Sequence, residues 1–315
     1  MKCSKLMTKL VLNTMAMLMI VSSAVAAFPE KEITLIVPYN AGGGSDTTAR
    51  IFAQFANKYF PKPIVVVNYP GGGGAVGQTR GSKAAPDGYT LTQITTSLTI
   101  QPYLKKLSYD YKSFRPIAQL VDVPDVLMVR KDNEKFSTAE QFIAYAKANP
   151  GKIRVGTSGT GSTDHFTMMV LQQKGGMKLT LVPFSGADAK VNLLGGHVDA
   201  AAGGPEDVHD LPDLKALMVF ADTRFSSLPE VPTAKELGIN WTSSVWRGIA
   251  LPAGVPQEIV DYFDEMISKV MADPEYLKMV DNLGIPSVYM KSAEFTEKIK
   301  EKAEIYKALI NKNLQ

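Results

Sequence analysis

Short β-branched runs alternate along this chain with longer amphipathic stretches, and glycine-rich loops join them. That alternation constrains the fold more than any other feature: strands followed repeatedly by helices predict helices packed on a mostly parallel sheet, an α/β architecture. Residues 33–38, 63–67 and 89–94 read as the first three strands. A helix is predicted after the first of them, capped by Ser45 or Asp46 and running to Tyr59.

Two long extended segments interrupt the alternation. Residues 117–130 are apolar and broken only at Pro124, and residues 245–251 resemble them, ending at Pro252. Between the two lies a second α/β unit. It opens at the capping box Ser137-x-x-Glu140, with Phe136 placed as a hydrophobic staple. A helix over 139–148 stops at Asn149-Pro150-Gly151, a strand covers 153–156, and a helix starts at Asp164. Further strands are predicted at 179–184 and 216–221, and two helices, 256–271 and 293–311, finish the chain. Two crossings imply a discontinuous first domain, 27–124 with 247–315, and an inserted second domain, 125–246. A cleft between such domains is a common place for a small ligand.

Residues 1–26 read as a cleaved secretory signal. Lys2, Lys5 and Lys9 precede an apolar run over 10–21, and Ala24-Val25-Ala26 gives the small-x-small pattern of a cleavage site. The run is too short to span a bilayer. The expected location is therefore periplasmic or extracytoplasmic. Removal of this segment changes the chemistry of what is left. The whole chain carries 34 Lys+Arg against 31 Asp+Glu, but the three lysines of the signal make the remainder neutral. The only cysteine, Cys3, leaves too. Cysteine catalysis, cysteine-ligated zinc, iron–sulfur clusters and disulfides are thereby excluded, and nothing in the charge favours nucleic acid.

Three loops share one grammar, in which a strand ends, a Gly/Ser/Thr-rich turn follows, and a helix begins: 39–46, 69–77 and 157–163. Helix N-termini leave backbone N–H groups unpaired and carry partial positive charge, so an anion can bind there without a basic side chain. The plain alternative is three tight turns. Gly72-Gly-Gly-Ala-Val-Gly77 fits G-x-G-x-x-G, but no acid stands about 20 residues further on, as dinucleotide binding requires. Gly156-Thr-Ser-Gly-Thr160 approaches the G-x-S-x-G nucleophile elbow but ends in Thr, and His165 is one turn into the helix after Ser162. His165, His197 and His209 show no metal spacing. No cofactor or metal is expected.

The stretches Ile36-Val-Pro-Tyr-Asn-Ala-Gly-Gly-Gly-Ser-Asp46, Asn68-Tyr-Pro-Gly-Gly-Gly-Gly-Ala-Val-Gly77 and Ala84-Ala-Pro-Asp-Gly-Tyr-Thr-Leu91 resemble the Bug-type periplasmic substrate-binding proteins of tripartite tricarboxylate transporters. Gly159-Thr-Gly-Ser-Thr-Asp-His165, Leu194-Gly-Gly-His-Val-Asp199, Leu228-Pro-Glu-Val-Pro-Thr233 and Trp246-Arg-Gly-Ile-Ala-Leu-Pro-Ala-Gly254 continue the match in order. The resemblance implies a two-lobed, Venus-flytrap fold of the type II periplasmic-binding-protein kind, with a double-strand hinge. It also implies a monomeric receptor, not an enzyme, that closes on a small carboxylate and delivers it to membrane permease subunits.

Residue by residue, the resemblance assigns ligand contacts to Tyr39, Ala41, Gly42, Ser45 and Asp46 in the first lobe, with Thr96 and Ser97 after the third strand. Ser158, Thr160, Ser162, Thr163 and His165 are the second-lobe candidates, and Gly203 and Arg247 complete the set. Two positions depart from the family's pattern. Relatives often carry an Asp-bearing loop where this chain reads Ala200-Ala-Ala-Gly-Gly-Pro205, so no acidic partner for a ligand amino group is evident there. Many also have an aromatic residue at the position of Arg247, which either faces the cleft as a cation for a second carboxylate or faces solvent. The rival readings are an exported hydrolase using Ser158 or Ser162, and a ligand sensor for a membrane signalling partner.

Overall fold

The computed structural model describes residues 28–313. The expected signal, with Cys3, lies outside the described residues. Two sheets, each flanked by helices, form two lobes.

The first lobe begins with strand β1 (Ile33–Val37), helix α1 (Gly44–Ala56), strand β2 (Ile64–Asn68), helix α2 (Ala75–Ser82), strand β3 (Thr90–Thr95), the short helix α3 (Gln101–Leu104) and strand β4 (Phe114–Pro124). β1 pairs parallel with both β2 and β3. A parallel strand covered on both faces must be apolar almost throughout, and Ile33, Leu35, Ile36 and Val37 are all buried. α1 turns Ala49, Phe52, Ala53 and Ala56 onto this sheet, the spacing of one helical face.

At Asp125 the chain leaves the first sheet. The second lobe runs through β5 (Val126–Arg130), α4 (Ala139–Ala148), β6 (Arg154–Thr157), α5 (Thr163–Gly175), β7 (Thr180–Pro183), α6 (Asp188–Leu194), β8 (Ala200–Gly203), α7 (Pro205–Asp210) and β9 (Leu214–Val219). Its sheet order is β7-β6-β8-β5-β9. The chain returns through β10 (Ser244–Pro252), then α8 (Gln257–Met271), α9 (Pro274–Asn282), β11 (Ser287–Lys291) and α10 (Ser292–Asn313). β10 inserts antiparallel between β3 and β4, giving the first sheet the order β11-β4-β10-β3-β1-β2.

The two crossings lie side by side as a double-strand hinge. Asp125 N–H donates to the Ser243 carbonyl (3.1 Å), Ser243 N–H to Phe220 O (2.8 Å), and Phe220 N–H to Asp125 O (2.9 Å). α10 straps the back of the hinge. Its Phe295, Ile299, Ala303, Tyr306 and Ile310 are buried in sequence, and Tyr306 packs edge-on against Phe166 of the second lobe. Among the described residues no helix is long and apolar enough to cross a membrane.

The structure departs from the sequence expectations at several elements. α1 is capped by neither Ser45 nor Asp46: its N-cap is Gly43, which has no side chain to offer. The cap of α4 is Thr138, one residue beyond Ser137, because Thr138 Oγ1 accepts from Gln141 N–H while Ser137 bonds the Gln141 side chain. Three helices follow β10, not two, since Asp273 caps α9 through the amides of Glu275 and Tyr276. β8 has no sequence signal, because Ala-Ala-Ala-Gly has poor strand propensity and is a strand only by pairing with β5 and β6.

Candidate functional site

Residues from both lobes meet in one cleft. The loop after β1 delivers Tyr39 and Gly43, the first turn of α1 delivers Gly44 and Ser45, β10 delivers Val245 and Arg247, and the hinge contributes Asp125. From the second lobe come Ser158, Ser162, Thr163 and Asp164 of the β6–α5 loop, Lys190 of α6, and Gly203, Gly204, Glu206 and Asp207 after β8.

The first-lobe loop is shaped by Asp46, which points away from the cleft. Gly42 N–H and Arg50 Nε donate to its Oδ2, both at 2.9 Å, and Asn68 Nδ2 donates to Oδ1 at 2.9 Å. Burial pushes the Asp46 carboxyl up, but these donors outweigh it and hold the group below the usual carboxylate range. The side chain therefore folds the loop, and the N-terminus of α1 is left facing the cleft without a side-chain cap. Tyr39 is buried beneath it, its hydroxyl within 3.2 Å of Thr95 Oγ1 and 3.1 Å of Ser97 Oγ. Burial raises the Tyr39 phenol, so it stays neutral and able to donate.

Arg247 settles the question its sequence position raises: it faces the cleft and is 4% exposed. β10 pairs it opposite Thr95 of β3. Its Nη2 donates to Glu206 Oε1, its Nη1 lies 3.4 Å from Thr48 Oγ1, and its Nε is buried without a partner. Ala200 to Pro205 contains no acid, yet Glu206 and Asp207 follow at once in α7 and both line the cleft. Both are paired, Glu206 with Arg247 and Asp207 with Lys190 (2.8 Å), so neither stands open to a ligand amino group.

The second-lobe loop is organised by its own carboxylate. Asp164 Oδ2 accepts from Ser158 N–H at 2.7 Å, and the single Ser162 hydroxyl proton is shared between Asp164 Oδ1 and Gly159 O. Ser162 caps α5 by accepting from His165 N–H. Burial raises the Asp164 carboxyl despite these bonds. The Ser162 hydroxyl is thus committed to Asp164 and a carbonyl, while the His165 Nδ1 is buried without a partner. No serine–histidine pair forms among these residues, and the arrangement supplies hydroxyls and amides without a nucleophile–base couple.

At the hinge, Asp125 is buried completely. Thr167 Oγ1 and Ser243 Oγ both donate to its Oδ2 at 2.6 Å, while Oδ1 has no partner. Burial, helped by the neighbouring Asp164, pushes its carboxyl up to about 7.

Of the fourteen sequence candidates, the cleft lining takes Tyr39, Ser45, Ser158, Ser162, Thr163, Gly203 and Arg247. The rest lie elsewhere. Ala41 and Gly42 are exposed on the outer turn of the loop, and Asp46 braces it. Thr96 faces the opposite side of the hinge, accepting from Trp246 N–H at 3.0 Å and donating to Ser244 O at 2.9 Å. Ser97 lies under Tyr39. Thr160 is exposed and gives its carbonyl to Lys105 Nζ (3.2 Å), and the His165 ring lies outside the lining, where burial lowers its pKa. Sequence reasoning missed Gly43, Gly44, Asp125, Lys190, Glu206 and Asp207. The middle glycine loop is not a ligand cradle but a lobe contact: a Cβ on Gly159 would come within 2.7 Å of Gly73 Cα.

The comparisons with known proteins bear on this geometry. A family model described as "Tripartite tricarboxylate transporter family receptor" matches residues 48–314. The "UPF0065 protein in gbd 5'region" of Cupriavidus necator is 34% identical over 289 residues, which is 90% of this chain and 88% of that protein. A TctC solute-binding protein from Polaromonas is 35% identical, with a TM-score of 0.65, over 90% of this chain and 99% of that one. MatC from Rhodopseudomonas palustris, solved with bound malate, is 26% identical with a TM-score of 0.83, over 90% of this chain and all (100%) of the other. With a family match over most of its length and the same two-lobed fold, the chain belongs to the tripartite tricarboxylate transporter receptor family, whose members are periplasmic solute receptors rather than enzymes.

Proposed function

We propose that this chain binds a small organic carboxylate in the interlobe cleft and delivers it, closed, to the permease subunits of a tripartite tricarboxylate transporter. One observation carries the reading: α1 opens on the cleft with no capping side chain, directly beside the buried guanidinium of Arg247. A helix N-terminus and an arginine fork each favour a carboxylate, and together they define an anion position. Tyr39, Gly44, Ser45 and Arg247 would hold the carboxylate from the first lobe. Ser158, Thr163, Gly203 and Lys190, the last now paired with Asp207 (2.8 Å), would meet the rest of the ligand from the second. The malate held by MatC supports this ligand class.

In this reading residues 27–124 with 247–315 move as one domain and 125–246 as the other, hinged at Asp125 and Ser243. The ligand drives closure because it touches both. The receptor acts as an exported monomer once residues 1–26 are removed. Protein freed of ligand by unfolding and refolding should gain thermal stability with malate, succinate or adipate, in proportion to ligand concentration. A broad carboxylate panel that gives no shift counts against the reading.

A further inference from the structure

The cleft already holds a carboxylate, and it belongs to the chain itself. Glu206 lies in α7 of the second lobe and is 2% exposed. Its Oε1 accepts from Arg247 Nη2 of the first lobe, which ties the lobes across the cleft. The same oxygen lies against the first residue of α1. A Cβ placed on Gly44 would overlap Glu206 Oε1 and stand 2.6 Å from Arg247 Nη2. The Glu206 carboxylate thus sits where the two anion-seeking groups of the first lobe converge.

Two further observations point beyond a pair that only stabilises the fold. Glu206 Oε2 and Arg247 Nε are buried without hydrogen-bond partners, a costly state for an ion pair whose sole task is to stabilise the fold. The cavity that remains measures about 70 Å³, room for a few waters. Small-molecule sites start at roughly 300 Å³. The Glu206 side chain fills the space a ligand would need. Gly204 lets it fold back, since a Cβ there would stand 2.5 Å from Glu206 Cδ.

We propose that Glu206 is a built-in surrogate ligand: in the empty receptor its carboxylate occupies the anion position at α1 and latches the lobes through Arg247, and an incoming carboxylate binds by displacing it. The inference rests on the reading of the cleft as a carboxylate site. It also makes Glu206 a determinant of specificity. A ligand must exceed what Glu206 gives up, so a single carboxylate is insufficient and a second polar group reaching Thr163, or drawing Lys190 from its pair with Asp207, is required.

The test compares wild type with Glu206→Gln and Glu206→Ala, all freed of ligand, by small-angle X-ray scattering and by calorimetric titration with malate, succinate and acetate. Glu206→Gln keeps the shape and one acceptor, so it reports even where the alanine variant folds poorly. Ligand-free variants should show a larger radius of gyration than wild type. They should bind the dicarboxylates about ten-fold more tightly, the competitor having gone, and acetate should become detectable. Variants with the wild-type radius overturn the latch, and open variants that bind the dicarboxylates more weakly than wild type show Glu206 to be part of the site and overturn the displacement. If the variants open but no probe binds any of the three proteins, the latch stands and the carboxylate reading falls.

Discussion

The two loops that face each other across the cleft share a sequence grammar and differ in what they offer. Each is tied down by an aspartate that accepts a loop amide: Asp46 takes Gly42 N–H, and Asp164 takes Ser158 N–H. In the first lobe the helix that follows starts at a bare glycine, and Asp46 is neutralised by Arg50 on its outer side. In the second lobe Ser162 caps the helix, and Asp164 is buried with no arginine or lysine bonded to it. The first loop therefore keeps its field for an outside anion, while the second has committed the Ser158 amide and the Ser162 hydroxyl to its own Asp164. Similar sequence does not mean similar electrostatics; the nearest charges decide.

The largest test of this contrast is Gly44→Ala. The new Cβ would push into Glu206 and Arg247 and fill the anion position. Carboxylate affinity should fall by about 100-fold or more, roughly 2.7 kcal/mol. The same Cβ forces apart the buried Glu206–Arg247 pair, so melting temperature should fall too, although the helical backbone itself accepts alanine without strain. In the second lobe Gly159→Ala should act by another route, through backbone strain. Its φ of +131° and its contact with Gly73 oppose closure, so both affinity and stability should drop in titration and melting.

Next in size is the exchange of the two aspartates. Asp46→Asn removes charge-assisted bonds and should cost about 1.5–3 kcal/mol in denaturant unfolding at pH 7. Asp164→Asn should cost less, because its folded-state carboxyl is raised and its charge is disfavoured where it stands.

The pH dependence follows with opposite signs. The Asp46 carboxyl is lowered, so its stabilisation is present above the unfolded value of 3.8 and is lost as pH falls through the folded one. The Asp125 carboxyl is raised from 3.8 to about 7, so its contribution is full below 3.8 and is lost as pH rises through about 7. Between pH 5 and 8 wild type should lose melting temperature relative to Asp125→Asn. Parallel curves would contradict the burial argument.

The smallest effect is expected at Gly42, on the outer turn. Its φ is +80° but nothing lies within 4 Å of a Cβ, so Gly42→Ala should cost about 1 kcal/mol of backbone strain and leave affinity unchanged.

Much of this was legible in the sequence where local chemistry decides. The crossing broken at Pro124 and the glycine loops stand where the alternation put them, as does the helix Ala139–Ala148. β8 was not legible, because three alanines and a glycine are a strand only through their neighbours. At the site, motif reading named two loops that line the cleft but did not separate the side chains that face it from those that brace the loops. Asp46 and Ser97 turn inward to brace the backbone and Tyr39, and no local signal says so. Glu206 was invisible for the opposite reason, since its role comes from an arginine 41 positions away.

The most direct test of the central claim is mass spectrometry of the small molecule released by denaturing freshly purified receptor, set beside the same release from Gly44→Ala. The account predicts an organic acid with at least one carboxylate from wild type and little or none from the variant. A released molecule without a carboxylate, or equal release from both proteins, would contradict it.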